Sequence, residues 1–408
     1  MQYRIKFPQN LKADIDLPTS KSISNRSLII YALTHKGIWP QNLAICDDTD
    51  VMQKALSSQE EIVDINAAGT SMRFLTAYFS VTPGMRIITG SERMRNRPIR
   101  ILVNALRSLG AEISYMEKEG YPPLKIKGKK LSGGMLNIDG NISSQFITAL
   151  LLIGPTLEEG LQLKLSGEVT SRPYINMTLA LMNKYGAKTY WENDSCIRVE
   201  PQLYKPTSLD IESDWSAASY WFAITSLAPK ATINLNKLTI PSLQGDSKGA
   251  DLFKQLGVKY EITKDGITLH KTKNIADHLK IDFTEIPDLV QTFVVVAALH
   301  NIPFCFTGVK TLRIKETDRI NALITELGKL GYMIKAKGDE AIYWDGEKGI
   351  AHDCPVIETY EDHRMAMAFA PAAIKFKKLC INNPSVVTKS YPEYWNDLKL
   401  AGVEVLKK

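Results

Sequence analysis

The sequence has no pair or cluster of cysteines. Its five cysteines, Cys46, Cys196, Cys305, Cys354 and Cys380, are scattered through 408 residues and form no C-x-x-C motif. An odd number of isolated cysteines argues against a disulfide framework and favours free thiols in a reducing compartment. The six histidines are also dispersed, without an H-E-x-x-H motif or a Cys/His ligand set. The sequence therefore predicts no metal site and no cofactor.

Long apolar runs are absent as well. No stretch approaches the roughly 20 residues needed to cross a bilayer, and the opening MQYRIKF has no signal-peptide core. We therefore expect a cytoplasmic protein that does not use a membrane as a partner. The net charge of +6, from 50 Lys+Arg against 44 Asp+Glu, is low for a nucleic-acid binder. It suits an anionic small substrate at least as well.

Composition and length are those of a globular protein with more than one domain. The chain is 44% hydrophobic and 23% charged. A chain of 408 residues is too long for one ordinary hydrophobic core. The sequence therefore predicts two domains, or three.

Short polar clusters that run directly into apolar helical segments are the main positive signal. Residues 311–320 read TLRIKETDRI, residues 362–364 read DHR before MAMAFA, and residues 20–26 read SKSISNR before SLII. Each cluster alone fits an ordinary salt-bridged helix start. Together they indicate anion binding, because free N–H groups and the positive dipole end lie at a helix N-terminus.

The same pattern recurs along the chain. Further polar helix starts occur at residues 68–73, 143–145, 214–216 and 287–288. From Thr70 onward the starts are spaced at intervals well above those of solenoid repeats, so each should belong to a small subdomain. Alternating strands such as Leu161–Leu165 separate the helices. The pattern predicts six α/β units, whose polar helix starts could all face one cleft.

Ten short runs of the sequence, which include most of the polar helix starts above, carry a resemblance to a known family. They are LPTSKSISNR, AAGTSMRF, SERMRNRPI, SSQFITALL, SRPYINMTL, QGD, IPDL, RIKETDR, YEDHRMAM and Lys389 before Tyr391-Pro392. Their order over nearly the whole chain resembles that of the 5-enolpyruvylshikimate-3-phosphate (EPSP) synthase family of enolpyruvyl transferases. One run would be weak support, but ten in order are specific.

The resemblance implies a fold and a domain organisation. The fold class would be α/β: a two-domain inverse α/β barrel built from six repeated α/β subunits, with the active site in the interdomain cleft. The family's chain begins in one domain, builds the other and then returns. Here this implies a discontinuous domain of residues 1–19 plus 213–408 and an inserted, continuous domain of residues 20–212. Monomers are the family expectation.

The resemblance also implies an activity. The enolpyruvyl group of phosphoenolpyruvate would be transferred to the 5-hydroxyl of shikimate 3-phosphate, with release of phosphate, in the sixth step of the shikimate pathway. The reaction proceeds by addition and elimination through a tetrahedral intermediate. Both substrates carry a phosphate and a carboxylate, so the site must be lined with cations and N–H donors. These small molecules would be the only partners, without nucleic acid.

Matching the family's motifs residue by residue implies three sets of site residues. The catalytic set is Asp288, Glu316, Lys21 and His363. The phosphoenolpyruvate set is Lys21, Gly69, Arg93, Gln145, Arg319, Arg364 and Lys389. The shikimate 3-phosphate set is Lys21, Ser22, Arg26, Ser143, Ser144, Gln145, Ser171, Tyr174, Asp288, Thr311 and Lys315.

The implied roles follow the chemistry of each group. Asp288 would act as base toward the hydroxyl, Glu316 as donor and acceptor of the C3 proton, and Lys21 as acid toward the bridging oxygen. His363 would support Glu316 or the leaving phosphate, or cap its helix only.

Other residues receive no chemical role from the sequence. Arg97 is expected to make a structural salt bridge, Tyr220 to lie in the core, and Asp48 to be part of a turn. The chain also departs from the family pattern. Ala67 stands where Asn is usual, and the segment from Asp48 to Gly69 is short by about two strands. We therefore expect one subunit to have lost a hairpin.

Three alternatives remain open. The sister transferase acting on UDP-N-acetylglucosamine would need a reactive cysteine near residues 85–97 and Lys-Asn where this chain has Lys21-Ser22. A nucleic-acid-binding protein would cluster its cations among aromatic residues, whereas these cations stand singly beside helix starts. A catalytically inactive anion-binding relative would lack Lys21, Asp288 or Glu316, and all three are present.

Overall fold

The computed structural model describes residues 1–34 and 37–408. The chain divides into two compact units. Unit 1 consists of Met1–Pro18 and Glu212–Lys408, and unit 2 consists of Thr19–Ile211. In the part of the chain so described, no helix is long and apolar enough to span a bilayer.

Strands supply the sheets of both units. Within the described residues they are β1 Gln2–Lys6, β2 Asn10–Asp16, β3 Ile62–Asp64, β4 Gly84–Thr89, β5 Glu112–Tyr115, β6 Leu124–Gly128, β7 Gly134–Asp139, β8 Leu161–Ser166, β9 Thr189–Asn193, β10 Cys196–Val199, β11 Lys230–Asn236, β12 Leu256–Ile262, β13 Gly266–Ile275, β14 Leu279–Asp282, β15 Phe304–Thr307, β16 Lys335–Lys337, β17 Ala341–Trp344, β18 Val356–Ile357, β19 Cys380–Asn382 and β20 Glu404–Lys407.

Helices connect these strands. Over the same described ranges the α-helices are α1 Lys21–Leu33, α2 Asp47–Ser57, α3 Gly69–Val81, α4 Glu92–Arg95, α5 Arg100–Ser108, α6 Ser144–Ile153, α7 Arg172–Lys184, α8 Trp215–Leu227, α9 Gly249–Leu252, α10 Val290–Leu299, α11 Arg319–Lys329, α12 His363–Phe369 and α13 Tyr394–Leu400. Short 3-10 helices cover Gly154–Thr156, Gly245–Lys248, Phe253–Gln255, Pro287–Leu289, Lys310–Ile314, Ala370–Ile374 and Pro384–Lys389.

All five four-stranded sheets of the described residues share one topology. Two strands at one edge pair in parallel, and the next two pair antiparallel. Unit 2 contains β3-β4-β6-β5 and β7-β8-β10-β9, and unit 1 contains β2-β11-β13-β12, β14-β15-β17-β16 and β18-β19-β1-β20. In the last sheet β1, from the beginning of the chain, pairs with β19 and β20 from its end. The recurring unit is therefore a strand, helix, strand, helix and hairpin.

A sixth copy of this unit is reduced. It comprises α1 and α2, and its strand pairing among the described residues is a single parallel bridge between Gln41 and Asp210. Only residues 58–61 separate α2 from β3. This connection is too short to contain the hairpin that follows the second helix in the other copies, as the short segment after Asp48 led us to expect.

The central helices explain why the polar helix starts come together. In unit 1, α8, α10 and α12 pack on one another, and every residue of α10 is buried. In unit 2, α1, α3 and α6 do the same. A helix that is apolar on all sides must lie inside the protein. Only its ends can then present polar groups, and the N-terminal end is the one that carries them in this sequence.

Candidate active site

In unit 1 the N-terminal ends of α10, α11 and α12 bring charged side chains together. The side chain of Asp362 caps α12 by accepting from the backbone N–H of Arg364 at 2.9 Å. Asp318 caps α11 through the N–H of Asn321 at 3.1 Å. Asp288 lies in the 3-10 turn Pro287–Leu289 that leads into α10. These caps hold the side chains at the first positions of the helices in place.

The carboxylate of Asp288 contacts three cations. Its Oδ2 lies 2.8 Å from Arg364, while Oδ1 lies 3.3 Å from Arg319 and 3.6 Å from Lys315. Burial raises the pKa of this carboxyl, but the attraction of Arg364, Lys315 and Arg319 outweighs burial and holds the pKa well below its usual range. Asp288 is therefore ionised, and its negative charge keeps the three cations together.

Arg319 is the centre of this cluster and is only 1% exposed. Its Nε donates to Oδ2 of Asp362 at 2.8 Å, and its terminal nitrogens lie 3.0 Å from Glu316 and 3.3 Å from Asp288. Burial lowers the pKa of this guanidinium, but the surrounding carboxylates more than offset burial and raise the pKa above its usual value. One planar guanidinium thus aligns three carboxylates, which a lysine could not do.

Glu316 is held on both sides of its carboxylate. Oε2 contacts Arg319, and Oε1 lies 3.2 Å from the buried Nζ of Lys389. Lys389 ends the 3-10 turn Pro384–Lys389. Thr311 lies in the 3-10 turn Lys310–Ile314, which directly precedes the Lys315 to Arg319 segment. This 3-10 turn and the short segment after it thus lead directly into α11.

Arg364 and His363 begin α12 and are both buried. Arg364 donates to Asp288 and lies 3.4 Å from the hydroxyl of Tyr220. Nδ1 of His363 is 3.8 Å from Oδ1 of Asp362. Burial raises the pKa of Tyr220 to about 12. Tyr220 therefore stays neutral, and its hydroxyl can accept from the guanidinium of Arg364. Tyr220 is a core residue, as expected, and its hydroxyl also contacts the charged cluster.

In unit 2 an ion pair joins the start of α1 to the first turn of α2. Nζ of Lys21, the first residue of α1, lies 3.1 Å from Oδ2 of Asp48. Asp48 is 4% exposed and belongs to the first turn of α2, where an acidic side chain also complements the helix dipole. Ser71 at the start of α3 donates to the backbone oxygen of Asp48 at 3.2 Å. Asp48, expected to be part of a turn, is thus the partner that orients Lys21.

Arg26 is buried among neutral acceptors. It donates to Thr178 Oγ1 at 2.8 Å, to the backbone oxygen of Ser22 at 2.8 Å and to Thr148 Oγ1 at 3.3 Å. Among the described residues no carboxylate lies within ion-pair distance of its guanidinium. Burial lowers its pKa to about 10, with an opposing contribution from Tyr174. Arg26 therefore remains a cation.

The starts of α6 and α7 supply the hydroxyls of unit 2. Ser143 caps α6, which begins at Ser144, by accepting from the N–H of Gln145. Nε2 of Gln145 donates to Thr70 Oγ1 at 3.2 Å, which brings the starts of α6 and α3 together. Ser171 precedes α7 with a left-handed backbone, φ 56°. This conformation is costly for a residue with a side chain and often occurs at functional sites.

Gly69 begins α3 in contact with two arginines. A β-carbon at this position would lie 2.7 Å from the terminal nitrogen of Arg97 and 3.1 Å from that of Arg73. Arg97 is buried, yet over residues 1–34 and 37–408 it makes no ion pair, so the expected structural salt bridge is wrong. Arg93, four residues earlier, is exposed on α4. The structure therefore places Arg97 against Gly69.

Several partners of the site residues received no role in the site from the sequence. They are Asp48, Thr148, Thr178, Tyr220 and Asp362, and each contacts a site residue far away in the chain. Thr148, Thr178 and Asp362 stand in motifs quoted above, but no motif indicated which residue each would contact. No group of three potential metal ligands occurs in the described part of the chain.

Solved structures with the same fold are enolpyruvyl transferases. The EPSP synthase of Acinetobacter baumannii superposes over 100% of both chains with a TM-score of 0.76 at 21% identity. The enolpyruvyl transferase NikO of Streptomyces tendae covers 99% of this chain and 98% of its own, also with a TM-score of 0.76, at 14% identity. The predicted fold class is confirmed: the fold is that of the enolpyruvyl transferases.

Sequence comparisons identify the family. The model of EPSP synthase (3-phosphoshikimate 1-carboxyvinyltransferase) matches residues 53–398. The 3-phosphoshikimate 1-carboxyvinyltransferase of Bacteroides fragilis is 57% identical over 402 residues, covering 98% of each chain. That of Haemophilus ducreyi is 34% identical over 420 aligned residues, covering 95% of each. The chain belongs to the EPSP synthase family, as the order of its motifs predicted, and is a transferase.

Proposed function

We propose that this protein transfers the enolpyruvyl group of phosphoenolpyruvate to the 5-hydroxyl of shikimate 3-phosphate and releases phosphate. The observation that carries this proposal is the charged cluster of unit 1. There Asp288 and Glu316, the two carboxylates suited to proton transfer, are held by the four cations Lys315, Arg319, Arg364 and Lys389. Such a cluster binds anionic substrates and keeps its acid and base groups in fixed positions.

Phosphoenolpyruvate is proposed to bind the buried cations. Its phosphate and carboxylate would be held by Arg319, Arg364, Lys389, Lys21, Gly69 and Gln145. Arg97 is added to this set because its buried guanidinium lies against Gly69 and makes no ion pair within the described ranges. Arg93 is retained only as a peripheral contact because it is exposed. Arginine is suited to these positions because its planar fork binds carboxylate or phosphate through two bonds.

Shikimate 3-phosphate is proposed to bind hydroxyl groups and a second set of cations. The set consists of Lys21, Ser22, Arg26, Ser143, Ser144, Gln145, Ser171, Tyr174, Asp288, Thr311 and Lys315. Ser143 and Ser144 stand at the start of α6, where a hydroxyl and a backbone N–H can donate to the same phosphate. Arg26 would neutralise an anionic group of this substrate.

The proposed chemistry is addition followed by elimination. The 5-hydroxyl oxygen attacks C2 of phosphoenolpyruvate as Asp288 takes the hydroxyl proton and Glu316, which enters this step in its protonated form, delivers its proton to C3. The resulting tetrahedral intermediate then loses phosphate from C2, while Glu316 takes a proton back from C3 to form the new enolpyruvyl double bond. Lys21 protonates the bridging oxygen of the departing phosphate, and His363 supports this end of the site.

The strength of Asp288 as a base depends on its cations. Without substrate, Arg364, Lys315 and Arg319 keep the pKa of Asp288 low, which makes the carboxylate a weak base. Substrate anions that bind the same cations offset their positive charge. Binding therefore raises the pKa of Asp288 and makes it a stronger base at the stage when the hydroxyl must lose its proton.

The domain assignment and the physical state of the protein are part of the same proposal. The two domains would comprise residues 1–19 plus 213–408 and residues 20–212, in keeping with the compact units of the structure. The protein would act as a cytoplasmic monomer. Sedimentation at assay concentration tests the monomer directly, and a dimer mass would contradict it.

The experiment is phosphate release from phosphoenolpyruvate with shikimate 3-phosphate as acceptor. Glu316→Gln removes the proposed proton donor but keeps the size of the side chain, and should lower kcat by a factor of roughly 100 to 10,000. Glu340→Gln is the matched control, because Glu340 is an exposed glutamate of the same unit that pairs with Lys337. UDP-N-acetylglucosamine serves as the competing acceptor.

The possible outcomes separate the candidate functions. Release that requires shikimate 3-phosphate and is lost only in Glu316→Gln supports the proposal. Release with UDP-N-acetylglucosamine would assign the chain to the sister activity. A folded protein that binds shikimate 3-phosphate but releases no phosphate with either acceptor would be an anion-binding relative without this activity.

A further inference from the structure

The residues directly before α12 have an unusual backbone conformation. Tyr360 and Glu361 are consecutive, and both adopt the left-handed region, with φ values of 53° and 56°. Neither is a glycine, so each carries the steric cost of a β-carbon in that region. Asp362, His363 and Arg364 follow directly. Two strained residues in succession persist only where the surrounding structure holds them.

One anchor lies after this left-handed pair. Asp362 accepts from Nε of Arg319 at 2.8 Å and from the N–H of Arg364 at 2.9 Å. It therefore connects the first residue of α11 with the first turn of α12. This contact belongs to the charged cluster described above.

A second anchor holds the other end of the pair. Glu326, on α11 and 0% exposed, accepts from the hydroxyl of Tyr360 at 2.6 Å and from the backbone N–H of Glu358 at 3.0 Å. Lys329 neutralises this carboxylate at 2.7 Å and donates to the backbone oxygen of Val356 at 3.0 Å. Three of these contacts, those to Val356, Glu358 and Tyr360, hold the segment that leads from β18 into the left-handed pair.

Both anchors belong to one helix. Glu326 follows Arg319 by seven positions, which is close to two turns and places the two side chains on the same face of α11. A rigid helix thus holds residues 356–362 at two points, with the strained pair between them. Tyr360 as a residue is 38% exposed, although its hydroxyl reaches the buried carboxylate of Glu326. Burial of the ring is therefore not what determines the position of this residue.

We propose that Glu326 and Tyr360 are positioning residues that set the start of α12, and with it His363 and Arg364, for the reaction. Neither is assigned a catalytic role. If the bond between them is lost, the left-handed pair is released at one end and can relax. The first turn of α12 then shifts relative to Arg319 and Asp288, and the phosphoenolpyruvate cations are misaligned.

The test is Tyr360→Phe, which removes one hydroxyl from a partly exposed ring and preserves the fold. The kinetic readout rests on the proposed function. Its kcat/KM for phosphoenolpyruvate should fall roughly ten- to a hundredfold, because small misplacements of binding groups are costly in catalysis. Its KM for shikimate 3-phosphate should stay within about twofold, because none of the residues proposed to bind that substrate belongs to α12 or to the segment before it.

Tyr260→Phe is the matched control. Tyr260, on β12 of the same unit, donates to the carboxylate of Asp251 at 3.0 Å, and no site residue is involved. This variant loses the same kind of bond and should retain the wild-type kcat/KM. Glu326→Gln is the second variant. It places an amide against the N–H of Glu358 and removes the charge that pairs with Lys329, so its loss of kcat/KM should exceed that of Tyr360→Phe.

Hydrogen exchange supplies a readout that does not need activity. Amides of residues 358–364 should exchange faster in Tyr360→Phe than in the wild type, while the rest of unit 1 is unchanged. Unaltered exchange in this segment, or a loss of kcat/KM that Tyr260→Phe reproduces, would overturn the positioning role. If the wild-type protein releases no phosphate, the proposed function fails, and local exchange still decides whether this pair holds the segment.

Discussion

Nε of Arg319 donates to Oδ2 of Asp362 at 2.8 Å, and the two side chains are 2% and 0% exposed. The pair joins the first residue of α11 to the residue that caps α12. Because the other nitrogens of Arg319 contact Glu316 and Asp288, the alignment of three carboxylates depends on one guanidinium. The charged cluster of unit 1 is therefore expected to respond as a whole to changes at Arg319.

Arg319→Lys should be severe although it keeps the positive charge. A lysine ammonium cannot bond three carboxylates in one plane, so Asp362 and Asp288 lose hydrogen bonds from the cation that neutralises their charge. We expect the free energy of unfolding to fall by about 3 kcal/mol and kcat/KM to fall at least about a hundredfold. Urea unfolding and steady-state kinetics measure these two effects.

Arg313→Lys is the control for that substitution. Arg313 also contacts two carboxylates, those of Asp318 and Asp339, but its side chain is 26% exposed. The variant should cost less than about 1 kcal/mol because exposed ion pairs contribute little. Equal losses in the two variants would mean that burial of Arg319 is unimportant.

Asp48→Asn should impair catalysis through Lys21. The substitution keeps the size of the side chain but removes the charge that holds Nζ of Lys21 at 3.1 Å. We expect kcat to fall by about tenfold, since a charge-assisted bond is replaced by a weaker neutral one. Asp50→Asn, an exposed acid in the same turn of α2, should leave kcat unchanged. An unchanged kcat in Asp48→Asn would show that Lys21 needs no fixed partner.

Gly69→Ala should affect phosphoenolpyruvate binding more than stability. The new methyl group would lie 2.7 Å from the guanidinium of Arg97, so that side chain must move. We expect KM for phosphoenolpyruvate to rise roughly tenfold or more, with little change in Tm. In Gly328→Ala, on α11, no atom lies within 4 Å of the added carbon. That control should leave KM unchanged and stabilise the protein by about 0.5–1 kcal/mol.

His300 should make stability depend on pH. Burial, together with Lys271 and Lys375, lowers its pKa from 6.5 to about 4. Between these values the unfolded chain binds a proton that the folded protein does not. The stabilisation is therefore complete above pH 6.5 and is lost as the pH falls toward 4. His300→Gln should flatten this part of the profile of unfolding free energy against pH.

The control for this profile is His352→Gln. His352 is exposed, so its replacement should leave the profile unchanged. His300 itself bonds to Ser226 Oγ at 2.8 Å, so some loss of stability at neutral pH is expected in its variant. Wild-type stability that stays constant from pH 6.5 to 4 would contradict the prediction.

The positions of many site residues could be predicted because their signals are local. A polar cluster followed by an apolar run predicts a helix start, and Lys21, Asp288 and Arg364 all lie at such starts in the structure. The number of repeated units could also be predicted, since the polar helix starts recur at regular spacing from Thr70 onward. The roles of these residues in the reaction remain predictions.

The partners that orient the site could not be predicted, because their contacts are long-range. Asp48 meets Lys21 across 27 positions, and Asp362 meets Arg319 across 43. No periodicity in the sequence encodes such pairs. The same is true of Arg97, whose position against Gly69 depends on the packing of α3 with the loop after α4. The shared pairing order of the five sheets was likewise invisible, because alternation indicates a strand but not its neighbour.

The pairing of β1 with β19 and β20 determines the order in which the protein can be assembled during synthesis. Unit 2 is contiguous and can fold once Ile211 has left the ribosome, while residues 212–408 are still to be made. β1 must wait for β19 and β20, because its two neighbours in the sheet lie far later in the chain. Unit 1 is therefore completed only after β20 has been made, and until then the exposed edges of β1 require protection from aggregation.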